Sequence, residues 1–341
     1  MPRRNRQWLL EKRPTGPVEE SCFRLVEAEV PQTAEGQVLV QVHYLSLDPY
    51  MRGRMDEARS YAPSAPLGAV MIGGTVGAVI ESRNPRYRPG DVVVGMGGWQ
   101  QLHLSDGSGL RKVDARTVRE SVYLGALGMP GVTAWYGLHQ IGKPKAGETV
   151  VVSAASGAVG SAVGQLAKAA GCRAVGVAGG PVKCAYVVDE LGFDACLDYK
   201  SDGFRAALAG ATPDGVDVLF ENVGGAVLDA ALARMNAFGR VAVCGLIAGY
   251  DGQDLALRNV RAILVNRLTV QGFIVSEHLE LWPQATAALG ALLAAGGLKY
   301  RETIAPGIES APRAFIGLLR GENLGKQLVQ VAPGVGLEPP S

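Results

Sequence analysis

The sequence predicts an α/β chain of two domains, one β-rich and the other a doubly wound parallel sheet. Three observations carry this. A length of 341 residues exceeds what a single core usually supports. Residues from about 21 to 120 are strand-like, whereas from Pro144 onward short apolar strands alternate with helical segments, the texture of a parallel sheet buried between helix layers. A glycine-rich turn then joins the first of those buried strands to a helix.

In the β-rich part, Gln37-Val38-Leu39-Val40-Gln41-Val42 and Met71-Ile72-Gly73-Gly74-Thr75-Val76 read as strands, and Arg88-Pro89-Gly90-Asp91 as a turn. The second part offers six strands: Thr149 to Ser153, Arg173 to Ala178, Ala195 to Tyr199, Val216 to Glu221, Arg240 to Cys244 and Leu268 to Ile274. Six suit a complete dinucleotide-binding fold. Pro181 is a natural first helical residue, and Gly171 and Gly239 read as helix stops. A helical stretch from Trp282 to Ala295 leads to Lys299-Tyr300-Arg301-Glu302, read as a returning strand. The expected boundaries are 1–125 for the first part of the β-rich domain, 126–298 for the nucleotide domain and 299–341 for the return, with Gly334 to Ser341 as a frayed tail.

Composition narrows the function. A formal net charge of +1, with no sustained Lys/Arg stripe, argues against nucleic acid and anionic membrane as partners and leaves a small-molecule substrate. The start Met1-Pro2-Arg3-Arg4-Asn5-Arg6 precedes only Trp8-Leu9-Leu10 before charge returns at Glu11, which is not a signal-peptide pattern. No apolar run approaches the roughly 20 residues a membrane helix needs. The five cysteines (Cys22, Cys172, Cys184, Cys196, Cys244) are odd in number and contain no C-x-x-C pair, so free thiols in a cytoplasm are expected.

The sharpest motif is the strand Val150-Val151-Val152-Ser153 running through Ala154-Ala155-Ser156-Gly157-Ala158-Val159-Gly160 into a helix that carries Gly164. Lacking Cβ atoms, Gly157 and Gly160 permit a tight turn and close approach of a pyrophosphate to backbone N–H groups, while Gly164 lets the helix lie near the sheet. Ala155 stands in place of the usual first glycine. An NAD site would carry an acid at the end of the second strand to bond the ribose 2′-hydroxyl, but that strand ends in Ala178-Gly179-Gly180. A 2′-phosphate would instead meet open backbone, a helix N-terminus and the ammonium of Lys183, which favours NADP(H). Asn222, just past the fourth strand, suits either the nicotinamide ribose or a local turn.

Together these segments resemble the zinc-independent double-bond reductases of the medium-chain dehydrogenase/reductase superfamily, the prostaglandin reductase and leukotriene hydroxydehydrogenase type, and most nearly the bacterial curcumin reductases. The likeness is nearly full length. It includes Leu45-Ser46-Leu47-Asp48-Pro49-Tyr50-Met51-Arg52, Gly128-Met129-Pro130-Gly131-Val132-Thr133-Ala134, Glu221-Asn222-Val223-Gly224-Gly225, Gln271-Gly272-Phe273-Ile274 and Gly321-Glu322-Asn323-Leu324-Gly325-Lys326. The resemblance implies a GroES-like catalytic domain, a Rossmann nucleotide domain and a homodimer. It also implies that Gly157, Ala158, Val159 and Gly160 touch pyrophosphate, and Lys183 and Tyr199 the adenosine end. Asn222, Cys244, Gly245, Leu246, Ile247 and Tyr250 would hold the nicotinamide half, with Phe273, Ile274, Val275 and Asn323 completing the pocket.

Zinc alcohol dehydrogenases of the same superfamily use a Cys and a His-Glu pair plus a four-Cys cluster, whereas the first-domain histidines here, His43 and His103, have no neighbouring cysteines. Reduction of an activated C=C bond needs only moderate stabilisation of an enolate by hydrogen bonds. The expected reaction is therefore NADPH-dependent reduction of enones and alkenals, with Tyr250 as the first-choice hydroxyl donor and Tyr50 and Tyr61 lining the substrate cleft. A quinone reductase, a non-catalytic NADPH-binding protein of crystallin type and a hydroxyl dehydrogenase are the competing readings.

Overall fold

The computed structural model describes residues 3–253 and 255–334, so the expected tail, Gly334 to Ser341, lies outside the described residues apart from Gly334. The chain divides into two compact units, and five strands begin the first: β1 (Arg4–Leu10), β2 (Phe23–Glu29), β3 (Val38–Ser46), β4 (Thr75–Ser82) and β5 (Val92–Gly95). β6 (Leu102–Ser105) and β7 (Arg111–Lys112) follow, and the short helix α1 (Tyr50–Arg54) lies between β3 and β4. β3 is buried along nearly its whole length because β4 and β6 both pair with it in antiparallel fashion. It runs four residues past the segment predicted from the sequence. Met71–Gly74 is not strand: the Met71 N–H donates to the Trp8 carbonyl and its carbonyl accepts from Trp99, so β4 begins only at Thr75. The core beneath centres on fully buried Trp99, stacked on Phe23 at 5.0 Å and met edge-on by Phe315 at 5.6 Å.

The second unit opens with α2 (Met129–Tyr136) and then alternates: β8 (Thr149–Ser153), α3 (Gly160–Ala169), β9 (Arg173–Ala178), α4 (Pro181–Ala185), β10 (Ala195–Asp198), α5 (Phe204–Ala211) and β11 (Val216–Glu221). α6 (Gly225–Leu232), β12 (Met235–Val243), α7 (Arg261–Val265), β13 (Thr269–Gly272) and α8 (Trp282–Ala294) complete it. All six strands are parallel, in the order β10-β9-β8-β11-β12-β13. This is the doubly wound nucleotide-binding order, whose direction reverses between β8 and β11. Ligands of such sheets sit outside the C-terminal strand ends at that reversal, where the glycine turn and Asn222 emerge.

Several sequence expectations need correction. Gly239 is not a helix stop: α6 ends at Leu232, and Gly239 lies within β12, which starts five residues before the predicted Arg240. The strand reaches back because Met235 pairs with Val216. At Gly239 a Cβ would come within 2.6 Å of Met235 Cε and 3.0 Å of the Asn236 oxygen, so a side chain there would require the methionine end to shift. β10 stops at Asp198 rather than Tyr199, and β13 spans Thr269–Gly272 rather than Leu268 to Ile274. The returning strand is β14 (Glu302–Pro306), not Lys299 to Glu302. Lys299 is held instead by Gln165 of α3, which accepts its N–H at 2.7 Å and donates to its carbonyl at 2.8 Å.

After β14 come α9 (Ala311–Leu319) and β15 (Lys326–Gln330), the latter pairing with β3. The first unit therefore takes the chain up to Gly125, Glu302–Asn323 and Gln327 onward, whereas Ala126–Arg301 and the three residues Leu324–Lys326 form the second. Those three join the second unit because Gly325 donates to the Ser156 carbonyl at 2.9 Å and Lys326 to the Arg301 carbonyl at 2.8 Å. All five cysteines are free thiols.

Candidate functional site

The glycine turn is built from its first residue. Ala154 takes a left-handed backbone conformation (φ 49°), and the Ala155 N–H is tied to the Val177 carbonyl of β9 at 3.0 Å. Ala155 is wholly buried, so its methyl group fills the interior where the usual first glycine would stand. A Cβ on Gly160 would lie 2.3 Å from the Ala154 oxygen and 2.9 Å from Ala155 Cα, both backbone atoms, so this glycine is sterically required. Gly157 is more relaxed, its nearest atom being the Ala154 oxygen at 3.2 Å. Gly164 serves a different purpose from the predicted one: a Cβ there would strike Phe193 Cζ at 1.8 Å, so it makes room for a buried ring rather than for the sheet. Gly325, bonded to Ser156 and bridged to Gly157, walls one side of the turn. Its own Cβ would meet the Arg301 oxygen at 2.1 Å. The sequence reading had quoted Gly325 in a motif without placing it here.

At the end of β9, Gly180 (φ 97°) turns the chain into Pro181 of α4. The backbone there is less open than the sequence suggested, because Asp198 of β10 accepts the Gly180 N–H at 2.9 Å and the Lys200 N–H at 3.0 Å. Those bonds, Lys200 first, hold the Asp198 carboxyl below the usual carboxylate range. Around Gly179, a Cβ would meet Tyr199 Cε1 at 3.1 Å and Lys200 Cε at 3.2 Å. Lys183 faces the same place: burial, then the positive charge of Lys200, pulls its ammonium below the ordinary lysine range. Two repelling cations beside a tyrosine form a site that a dianionic phosphate relieves. Lys200 is the residue that the sequence reading missed.

On the other side of the reversal, β11 ends in fully buried Glu221. Asn222 donates its backbone N–H to Ser153 Oγ at 2.7 Å and its side-chain Nδ2 to the Ser153 carbonyl at 2.8 Å, tying the turn to β8. The carbonyl of Glu221 accepts from Cys244 and Gly245 at 2.8 and 3.1 Å, and that of Asn222 accepts from Ile247 at 3.2 Å. The strand ends of β11 and β12 thus carry one continuous scaffold. Tyr250 folds back over it: a Cβ on Gly245 would lie 3.5 Å from the Tyr250 hydroxyl and 3.4 Å from the Asn222 oxygen. Asn222, Cys244 to Ile247 and Tyr250 are therefore brought together. The ring of Phe273 packs on Phe220 and Tyr136 at 6.2 and 5.4 Å, and half-buried Ile274 and buried Val275 follow it. His278 anchors the following loop by stacking on Tyr136 at 4.4 Å and sharing a 2.8 Å hydrogen bond with its hydroxyl.

Tyr50, Tyr61 and Asn323 belong to the first unit. Tyr50 opens α1, and Tyr61 is 55% exposed. Burial, and next the Asp48 charge, push the Tyr50 hydroxyl well above the tyrosine range, with Tyr61 close enough to add to the effect. Tyr50 therefore stays a proton donor at any working pH. His43 forms a buried pair with Glu120 at 2.9 Å. Among the described residues, no three His, Cys, Asp or Glu side chains converge as a metal site would require.

Two family models match the chain, one described as the N-terminal domain of oxidoreductase over residues 6–113 and one as zinc-binding dehydrogenase over residues 158–291. The NADPH-dependent curcumin reductase of Escherichia coli (strain K12) is 47% identical over 337 residues, covering 96% of this chain and 97% of its own. The chain belongs to the medium-chain dehydrogenase/reductase superfamily. Within it, the 2-alkenal reductase (NADP(+)-dependent) of Nicotiana tabacum is 41% identical over 96% of this chain and 98% of its own. The crystal structure of CurA in complex with NADPH from Vibrio vulnificus superposes with a TM-score of 0.93 at 42% identity, covering 96% of this chain and 99% of its own. The likeness spans both units, so it places the chain among the double-bond reductases of the superfamily.

Proposed function

We propose that the chain is an NADPH-dependent reductase of activated carbon–carbon double bonds, acting on α,β-unsaturated ketones and aldehydes. The observation that carries this reading is the convergence of Asn222, Gly245 and the Tyr250 hydroxyl at the ends of β11 and β12. A neutral hydroxyl donor held there suits the developing charge of an enolate. The relatives named for curcumin and 2-alkenal reduction support the substrate class. Gly157, Ala158, Val159 and Gly160 hold the pyrophosphate, and Lys183, Lys200 and Tyr199 the 2′-phosphate end. Asn222, Cys244 to Ile247 and Phe273 to Val275 hold the nicotinamide half.

When bound, NADPH supplies the hydride that goes to the β-carbon of the substrate. The Tyr250 hydroxyl donates to the carbonyl oxygen as negative charge accumulates there. The test is anaerobic NADPH oxidation with curcumin, a simple alkenal and a quinone in parallel, with products identified by mass. A product that has gained two hydrogens and retains its carbonyl supports the reading. Turnover with the quinone alone would transfer the chain to the quinone reductases, and binding without turnover would make it a non-catalytic NADPH-binding protein.

The protein acts as a homodimer in this reading, and the support comes from β13. This edge strand is exposed at all four residues, and Val270 on it follows exposed Leu264 and Val265 of α7 within the same short stretch of chain, with exposed Phe238 bonded through its N–H to Asn266. An unpaired apolar edge of this kind is a template for another strand, and two copies related by a two-fold axis would pair β13 with β13. The free thiols suit a cytoplasmic location, and among the described residues no helix is long and apolar enough to cross a membrane.

A further inference from the structure

Among the described residues, Glu221 is the one fully buried carboxyl at the C-terminal end of the parallel sheet, and the mechanism above gives its side chain no role. Its two oxygens are treated unequally. Oε1 accepts from Ser153 Oγ at 2.9 Å and from the N–H groups of Val223 and Gly224. Oε2 is buried and meets no hydrogen-bond partner among the described residues. A buried carboxylate oxygen without donors is costly, and the same oxygen carrying a proton is much less so. The geometry thus assigns a proton to Oε2, with Oε1 left as the acceptor that holds the turn.

We propose that Glu221 is a positioning residue that sets the balance between oxidised and reduced cofactor, holding the Asn222–Gly224 turn when neutral and favouring the cationic oxidised nicotinamide when ionised. The proposal rests on the assignment of Asn222 and Cys244 to Tyr250 to the nicotinamide half. Every neighbour of the carboxyl bears on it. β8 presents only the Ser153 hydroxyl, and α6 presents the amides of its N-terminal turn. The end of β12 presents Cys244, whose thiol is raised to about 12 by burial first and by Glu221 second, so it stays neutral. Burial pushes the Glu221 carboxyl up to about 7 against the pull of the donors on Oε1. Its charge therefore changes within the range where the enzyme is assayed.

The sign follows from charge. Below neutrality the neutral acid does not distinguish the two nicotinamide forms, whereas above it a carboxylate behind the pocket attracts only the cation. In a medium of effective dielectric near 20, attraction between the carboxylate and the cationic ring is expected to change affinity by roughly tenfold. The ratio of the dissociation constants, NADPH over NADP+, is thus expected to rise by about that factor between pH 5.5 and 8.5. Titration of the 2′-phosphate cancels in the ratio because both forms carry it.

The experiment measures both constants by calorimetry across that range for the wild type, Glu221→Gln and Asn222→Ala. The amide of Glu221→Gln keeps an acceptor for the turn but cannot ionise, so its ratio is expected to stay flat while its NADPH affinity at pH 6 stays within about threefold of wild type. Proton release in buffers of different ionisation enthalpy provides a second readout that needs no variant: near pH 7, NADP+ binding is expected to release protons that NADPH binding does not. A flat wild-type ratio with no differential release, or a Glu221→Gln ratio that still rises with pH, overturns the proposal. If Asn222→Ala leaves both affinities unchanged, it is the nicotinamide assignment that fails instead.

Discussion

Replacing Gly160 with alanine puts a carbon 2.3 Å from the Ala154 carbonyl oxygen and 2.9 Å from Ala154 C and Ala155 Cα. Relief takes about 1 Å, and no flexible side chain is available to supply it. The obstructing atoms are backbone, pinned by the Ala155-to-Val177 and Gly157-to-Ala154 hydrogen bonds at 3.0 Å each. Overpacking of this kind costs about 1–3 kcal/mol, which corresponds to a fall of roughly 2–12 °C in the melting midpoint of a domain this size. The helix start must also move away from the pyrophosphate, and each weakened charge-assisted bond costs about 1.5–3 kcal/mol, so NADPH affinity is expected to fall by roughly 10- to 100-fold. Fluorescence titration with NADPH and thermal melting of the apoprotein read the two effects separately. Gly157→Ala is the control, because its methyl meets only the Ala154 oxygen at 3.2 Å and needs a few tenths of an ångström. Wild-type melting and affinity in Gly160→Ala, or greater destabilisation by Gly157→Ala, would refute the steric argument.

Lys183→Ala should weaken NADPH by about tenfold or more while leaving NADH unchanged if, as proposed, the lost charge pairs with the 2′-phosphate; parallel titrations of the two cofactors check it, and equal losses would disprove the placement. Tyr250→Phe should lower kcat with an enone by about 10²–10³ at unaltered NADPH affinity, whereas undiminished turnover at saturating substrates would return the donor role to Tyr50 or Tyr61. Val270→Lys places a charge on the exposed β13 edge and should yield monomers by sedimentation velocity, unless the dimer forms through another face.

The parts of the fold legible in the sequence are those where local pattern and tertiary environment agree. β8, β9 and β11 occur at their predicted bounds because strands buried on both faces read as short apolar runs between glycines and polar turns. β12 starts before the predicted Arg240 because Gly239 reads as a helix stop in the sequence, whereas pairing of Met235 with Val216 carries the strand back through it. The segment from Lys299 to Arg301 has strand-like composition, yet Gln165 on a distant helix claims its backbone. In each case a partner remote in sequence outweighed local preference.

The site divides along the same line. Gly157 to Gly160, Lys183, Asn222 and Tyr250 lie in segments that leave the C-terminal ends of β8, β9, β11 and β12, and a parallel sheet places all strand ends of one polarity on one rim, so the sequence alone singles them out as candidates. Lys200 and Gly325 were not. Lys200 joins the site only because β10 lies beside β9, which brings it against Gly179, and Gly325 only because its amide crosses to Ser156. Glu221 marks the deeper limit. Its place in the Phe220-Glu221-Asn222-Val223-Gly224-Gly225 motif is plain in the sequence, but whether it carries a charge depends on what covers it. In an exposed turn the same residue would be an ordinary carboxylate, whereas here three donors crowd one oxygen and none meets the other. That asymmetry, invisible to motif reading, turns a turn-forming acid into a group able to titrate with the chemistry beside it.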